Sequence, residues 1–149
     1  MAASNSTMTS MRDESKVEGP IRLENTITFD FQINRMYKLC YTNHIILVDT
    51  SYNFFICNSL TLECLGRGSA PGIIHEIIEL SHSRILILLP FSSLIYQFDA
   101  SRNNLTYIHN EECQKITANR RVKSLCGGNY LLIYNKVGKF LSIYSSETF

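Results

Sequence analysis

The residues of this chain that could carry chemistry are five cysteines, Cys40, Cys57, Cys64, Cys113 and Cys126, and four histidines, His44, His75, His82 and His109. Together they would be an ample ligand supply for zinc. Their spacing argues against it, because no Cys-x-x-Cys or His-x-x-x-His occurs and structural zinc sites usually carry at least one such short pair. No metal site is therefore expected. A nucleophilic thiol is the second chemistry to weigh. Cys126, next to Gly127 and Gly128, reads as an exposed turn thiol; activation would need a neighbouring cation such as Lys123 or Arg121 and a histidine as base. Nothing in the sequence brings a histidine to it. An all-β hydrolase-like enzyme using a Cys or His residue stands as the alternative to a non-catalytic chain. Gly127-Gly128 is no phosphate loop either, since no Gly-x-x-x-x-Gly-Lys pattern follows, and no cofactor is expected.

Binding is the remaining possibility. Residues 119–123 hold the one basic cluster, with Arg120, Arg121 and Lys123, and read as a solvated loop. Arg and Tyr are the side chains that most often anchor protein interfaces. Arg120, Arg121, Lys123 and Tyr130 are thus the candidate partner-binding residues, with Tyr130 and Tyr134 equally suited to a core. The chain as a whole has 14 Lys and Arg against 13 Asp and Glu, a net charge of +1. No global field exists to draw in nucleic acid or an anionic membrane. A protein partner fits best.

The elements that must position these residues are strands. Eight Tyr, eight Phe and abundant Ile and Leu favour β-structure, and 45% hydrophobic content in 149 residues is ample for a core. Residues 1–22 are polar and read as a disordered tail. The stretch 26–33 alternates polar and apolar and is expected as the first strand, with 36–41 continuing. Three similar units then follow. In the first, 44–48 is an apolar strand, 49–52 a turn and 53–58 the return, with a further strand at 60–65. Residues 66–72, rich in Gly and Pro, read as the loop between units. In the second, 73–80 suits helix or strand by period and is read as strand for its β-branched content. It is followed by 84–89, a turn at 90–93, a return at 94–99 and a fourth strand at 105–108. Residues 109–121 read as loop. In the third, 122–126 turns at 127–129 into 130–134, a turn with Gly138, and an alternating run to Tyr144.

Val48, Leu89 and Tyr134, at the ends of the apolar strands, lie 41 and 45 residues apart. Four-stranded propeller blades recur at about 40 to 45 residues. The expected fold is all-β, with antiparallel four-stranded blade-like repeats forming a partial β-propeller over residues 23–149 in units of about 26–65, 73–108 and 116–149; a β-sandwich is the alternative. Each apolar strand would be covered on both faces by stacked neighbours. Three blades are fewer than the four to eight with which propellers typically close. Exposed end faces would then favour self-association or a completing chain.

The spacing is WD-like, although the Gly-His and Trp-Asp pairs of WD repeats are absent, as are kelch signatures. The stretch Tyr130-Leu131-Leu132-Ile133-Tyr134-Asn135-Lys136-Val137-Gly138-Lys139-Phe140-Leu141 resembles the strand pair of citron homology domains, which are β-propeller-like modules. Lys136 stands where that family has an acidic residue, and the family's domain is longer than this chain. The resemblance implies a partial domain that acts as a protein-protein interaction platform, binding a small GTPase or a tethering complex in small-GTPase signalling or vesicle tethering.

The N-terminus has neither a basic nor an apolar region of a secretory signal. The odd number of irregularly spaced cysteines, most of them in apolar runs, reads as free buried thiols acting as small hydrophobes in a reducing compartment. A cytoplasmic location follows as the expectation, and the Asn-x-Ser/Thr triplets at Asn5 and Asn104 are then accidental. The longest apolar segment, 85–91, is far shorter than the roughly 20 residues that span a bilayer.

Overall fold

The computed structural model describes residues 26–135 and 141–148. The expected disordered tail and the turn at Gly138 lie outside these residues. Among those described, eleven strands form three antiparallel sheets. The first holds β1 (Ile33–Lys38), β2 (His44–Asp49), β3 (Asn53–Asn58) and β4 (Cys64–Ser69), in that order. The second holds β5 (Glu76–Leu80), β6 (Arg84–Leu88), β7 (Ser93–Asp99) and β8 (Asn104–Ile108). The third holds β9 (Arg120–Leu125), β10 (Tyr130–Asn135) and β11 (Leu141–Ser145). The first two sheets are four-stranded meanders joined by short turns, the blade-like arrangement that the spacing of the apolar runs predicts, and the third has three described strands where four were expected.

The layers follow from the pleat. Every residue of β6 is buried, and successive side chains leave the strand on opposite faces. Ile85, Ile87 and the following Leu89 enter a core shared with Ile46, Val48, Phe54 and Ile56 of the first sheet. Leu86 and Leu88 enter a second core with Val122, Leu131 and Ile133 of the third. The second sheet is therefore the middle layer, and its continuous apolar strand has the double coverage expected of it. Fully burying each such side chain contributes about 1.5–3 kcal/mol. β10 differs: Leu131 and Ile133 are buried while Tyr130 and Tyr134 are exposed. Among the described residues it is covered on one face only.

Four expectations need correction. Residues 26–32 are not a strand; only Ile33 of that stretch enters the sheet. The edge of β2 is occupied by Arg35–Lys38, and the earlier residues lie on the sheet's face, where the Phe31 ring stacks on Phe55 with centroids 4.0 Å apart. The second correction concerns residues 66–72. Gly66 and Gly68 lie inside β4, which runs Cys64–Ser69 instead of 60–65. The reason is aromatic. A Cβ at Gly68 would stand 2.3 Å from Cζ of Phe54, its partner across the ladder, and one at Gly66 would stand 3.3 Å from the Phe98 ring. Glycine in a strand here marks the close approach of a ring. Third, 109–121 is not all loop. A short helix α1 (Glu111–Gln114) is capped by the Asn110 side chain, which accepts from the Cys113 N–H at 2.8 Å, and β9 already begins at Arg120. Cys113 and Ile116 from this segment are buried in the second core. Fourth, most of the cysteines are not buried: Cys40, Cys64 and Cys126 are exposed, and only Cys57 and Cys113 are buried.

The β2–β3 turn has its own lock. Asp49 is buried, and its carboxylate accepts from the N–H groups of Ser51 and Asn53 at 2.8 and 2.9 Å and from the Asn53 side chain at 2.8 Å. Burial alone would raise its pKa, but these donors outweigh it and hold the carboxyl below its ordinary value. A depressed folded pKa contributes stability that is present above the unfolded pKa near 3.9 and is lost as pH falls through the folded value. The stability gap between the wild type and Asp49→Asn should therefore be largest near neutrality and shrink below about pH 4. Thermal melts of both proteins from neutral to strongly acidic pH would measure it; a gap independent of pH would remove the carboxylate from the lock.

Candidate protein-interaction face

The third sheet has one covered face and one that no described residue packs over as a further layer. β9 and β10 pair Val122 with Ile133 and Ser124 with Leu131, on the side facing the second sheet. The opposite side is read from the same registers. Across β9, β10 and β11 it presents Arg121, Tyr134 and Leu141, then Lys123, Leu132 and Ile143, then Leu125, Tyr130 and Ser145. Leu141 and Ile143 are each 64% exposed, and Tyr130, Tyr134 and Leu125 are exposed as well. These nine positions carry no carboxylate, so Arg121 and Lys123 are uncompensated on the face itself. An apolar field with two cations along one edge is the result.

The structure thus gathers three of the four candidate binding residues, Arg121, Lys123 and Tyr130, on one surface. Arg120 falls on the other side by alternation, at the start of β9, where its N–H donates to Thr117 O at 3.0 Å. The cluster is a strand and not the expected loop, because its charges alternate with buried Val122. Tyr130 and Tyr134 are surface residues, which settles their ambiguity. Leu132, Leu141 and Ile143 were not singled out by sequence reasoning. Their signal is parity: in register across a hairpin, they fall on the same side as Tyr130 and Tyr134.

Among the described residues no group of three or more His, Cys, Asp or Glu could hold a metal. Cys126 sits exposed in the β9–β10 turn at φ 51°. Of the histidines, His44 lies edge-on to Phe98, 5.5 Å between centroids, and His82 sits in the β5–β6 turn at φ 58°. His109 neighbours Gln114 Nε2 at 3.4 Å. A groove of about 250 Å³ runs beside the first strands of the three sheets, lined by Lys38, Tyr41, Glu76, Glu79 and Lys123 among others. Tyr41 Oη lies 3.2 Å from Ser124 Oγ there. Its mixed charges select no ligand class. No described helix is long and apolar enough to cross a membrane.

Comparison with solved structures places this geometry. The chain is similar to the β-propeller domain of Cps50 (Swd1) from Myceliophteria thermophila, with 15% identity and a TM-score of 0.54 over 78% of this chain and 41% of that one. A chain of a mitotic checkpoint complex is similar at 12% identity and a TM-score of 0.52, over 76% of this chain and 36% of that one. The likeness shows the fold, part of a β-propeller. This chain spans less than half the length of either structure. No family model matches the chain, and no curated protein matches it in sequence.

Proposed function

We propose that this chain is a non-catalytic protein-protein interaction platform in which the outer face of β9, β10 and β11 is the docking surface. The observation that carries this reading is the nine-position face just described, with exposed Leu141 and Ile143 at its far edge and Arg121 and Lys123 at the near one. Apolar patches of this kind, rimmed by charge, mark interaction sites on soluble domains. The occupant that fits is a protein surface with an apolar centre and carboxylates opposite the two cations. A β-sheet layer meets that description, because both covered interfaces of this fold are sheet against sheet. Without such a partner the face favours self-association. Residues 23–149 would act as one β-repeat domain of three units, about 26–65, 73–108 and 116–149. The likeness of residues 130–141 to the strand pair of citron homology domains extends the reading to a cytoplasmic partner, a small GTPase or a tethering complex.

A photo-crosslinking amino acid at position 143 tests the reading in cells, with position 91 as control, since Phe91 is 88% exposed but lies in the β6–β7 turn. The expected result is a discrete protein adduct from position 143 that is absent from position 91. Charge reversal by Arg121→Glu and Lys123→Glu should reduce that adduct roughly tenfold or more, since like charges then oppose the partner's carboxylates. Equal adducts from both positions, or indifference to the reversal, would sink the assignment.

A further inference from the structure

Cys57 and Cys64 stand directly opposite each other in the ladder between β3 and β4, beside a bulge after Ile56. The neighbouring residues Asn58 and Glu63 are joined by the Asn58 N–H donating to Glu63 O at 3.0 Å. In an antiparallel ladder bonded and non-bonded pairs alternate, so Cys57 and Cys64 occupy the narrow non-bonded site, where Cα atoms lie about 4.5 Å apart and side chains come closest. That separation falls inside the range of about 4.4–6.8 Å across which a disulfide closes without moving the backbone. The two thiols differ in access: Cys57 is fully buried and Cys64 is exposed. Each now bonds along its own strand, Cys57 Sγ to Phe55 O at 4.0 Å and Cys64 Sγ to Gly66 O at 3.6 Å.

We infer that Cys57 and Cys64 form a two-electron thiol-disulfide site, with Cys64 as the thiol that meets the oxidant and Cys57 as the one that resolves it. With glutathione disulfide as oxidant, the Cys64 thiolate attacks one glutathione sulfur, forms a mixed disulfide and releases one glutathione thiolate. The Cys57 thiolate then attacks the Cys64 sulfur, forms the Cys57–Cys64 bond and releases the second. Two electrons pass from the cysteines to glutathione disulfide, and the two cysteine protons leave with the released glutathiones. Burial, the facing charge of Cys64 and its hydrogen bond push the Cys57 thiol up to about 11, which makes the second step the slow one. The glutathione adduct on Cys64 should accumulate first and then decay.

Mass spectrometry of the full chain exposed to excess glutathione disulfide tests this. Cleavage after Glu63 separates the two cysteines unless they are bonded. The expected end state is a chain two hydrogens lighter at this pair, with the two peptides linked. Cys64→Ser should lose all oxidation of Cys57, and Cys57→Ser should stop at the Cys64 adduct. The wild type alone also decides: if its end state is a persistent Cys64 adduct, with Cys57 still alkylated after unfolding, the inference is wrong.

Discussion

Gly128→Ala should lower stability by roughly 2–4 kcal/mol, the sum of about 1 kcal/mol for a side chain at positive φ and about 1–3 kcal/mol for a contact that cannot relax. Gly128 has φ 85°, and a Cβ there would stand 2.5 Å from both the Leu80 carbonyl carbon and the Ser81 nitrogen. These are backbone atoms, so no rotamer change relieves the clash. The turn is also a docking point. Gly128 O accepts from the Ser81 N–H at 3.1 Å, Asn129 O accepts from the Ser146 N–H at 2.8 Å, and the Ser81 and Ser146 hydroxyls lie 2.9 Å apart. Displacing Gly128 therefore loosens the third sheet from the second as a unit. For a chain of this size the loss corresponds to a fall in Tm of roughly 4–15 °C. Gly127 is the internal control, at φ 69° with open space around its missing Cβ. Gly127→Ala should cost only about 1 kcal/mol. Equal effects from the two substitutions, measured by thermal or urea unfolding, would show that the Gly128 contact does not hold the layers together.

The parts of the fold that were legible in the sequence are those whose signal is local. β2, β6 and β10 announce themselves as continuous apolar runs, and the return strand β7 alternates as half-buried strands do. β4 was hidden because its glycines answer to Phe54 and Phe98, rings supplied by other strands and invisible from the Gly-rich run itself. α1 is too short to show a period, and its sole buried residue is Cys113. Residues 26–32 alternate like a strand, yet the edge they would take belongs to Arg35–Lys38. β9 reads as polar because four of its six positions are exposed or charged, and Val122 alone records the buried face. The binding face was half legible: Arg121, Lys123 and Tyr130 stand out by type, whereas Leu141 and Ile143 look like core until the register shows nothing described packed on them.

That face also sets the second large effect, on association. With Leu141 and Ile143 each 64% exposed beside Tyr130 and Tyr134, the chain alone should associate reversibly as its concentration rises, because covering the face removes apolar surface from water at about 25 cal/mol per Å². Replacing Leu141 and Ile143 together by Lys adds two charges that must be desolvated in any such contact. Since both side chains already face solvent, the replacement should leave Tm nearly unchanged while abolishing association. Sedimentation velocity over a hundredfold concentration range, run on the wild type and on the Leu141→Lys, Ile143→Lys double variant, measures this directly. A wild type whose sedimentation coefficient rises with concentration, beside a variant that remains monomeric with an unchanged melt, is the predicted result. A wild type that is strictly monomeric throughout, indistinguishable from the variant, would contradict the assignment of this face as a docking surface.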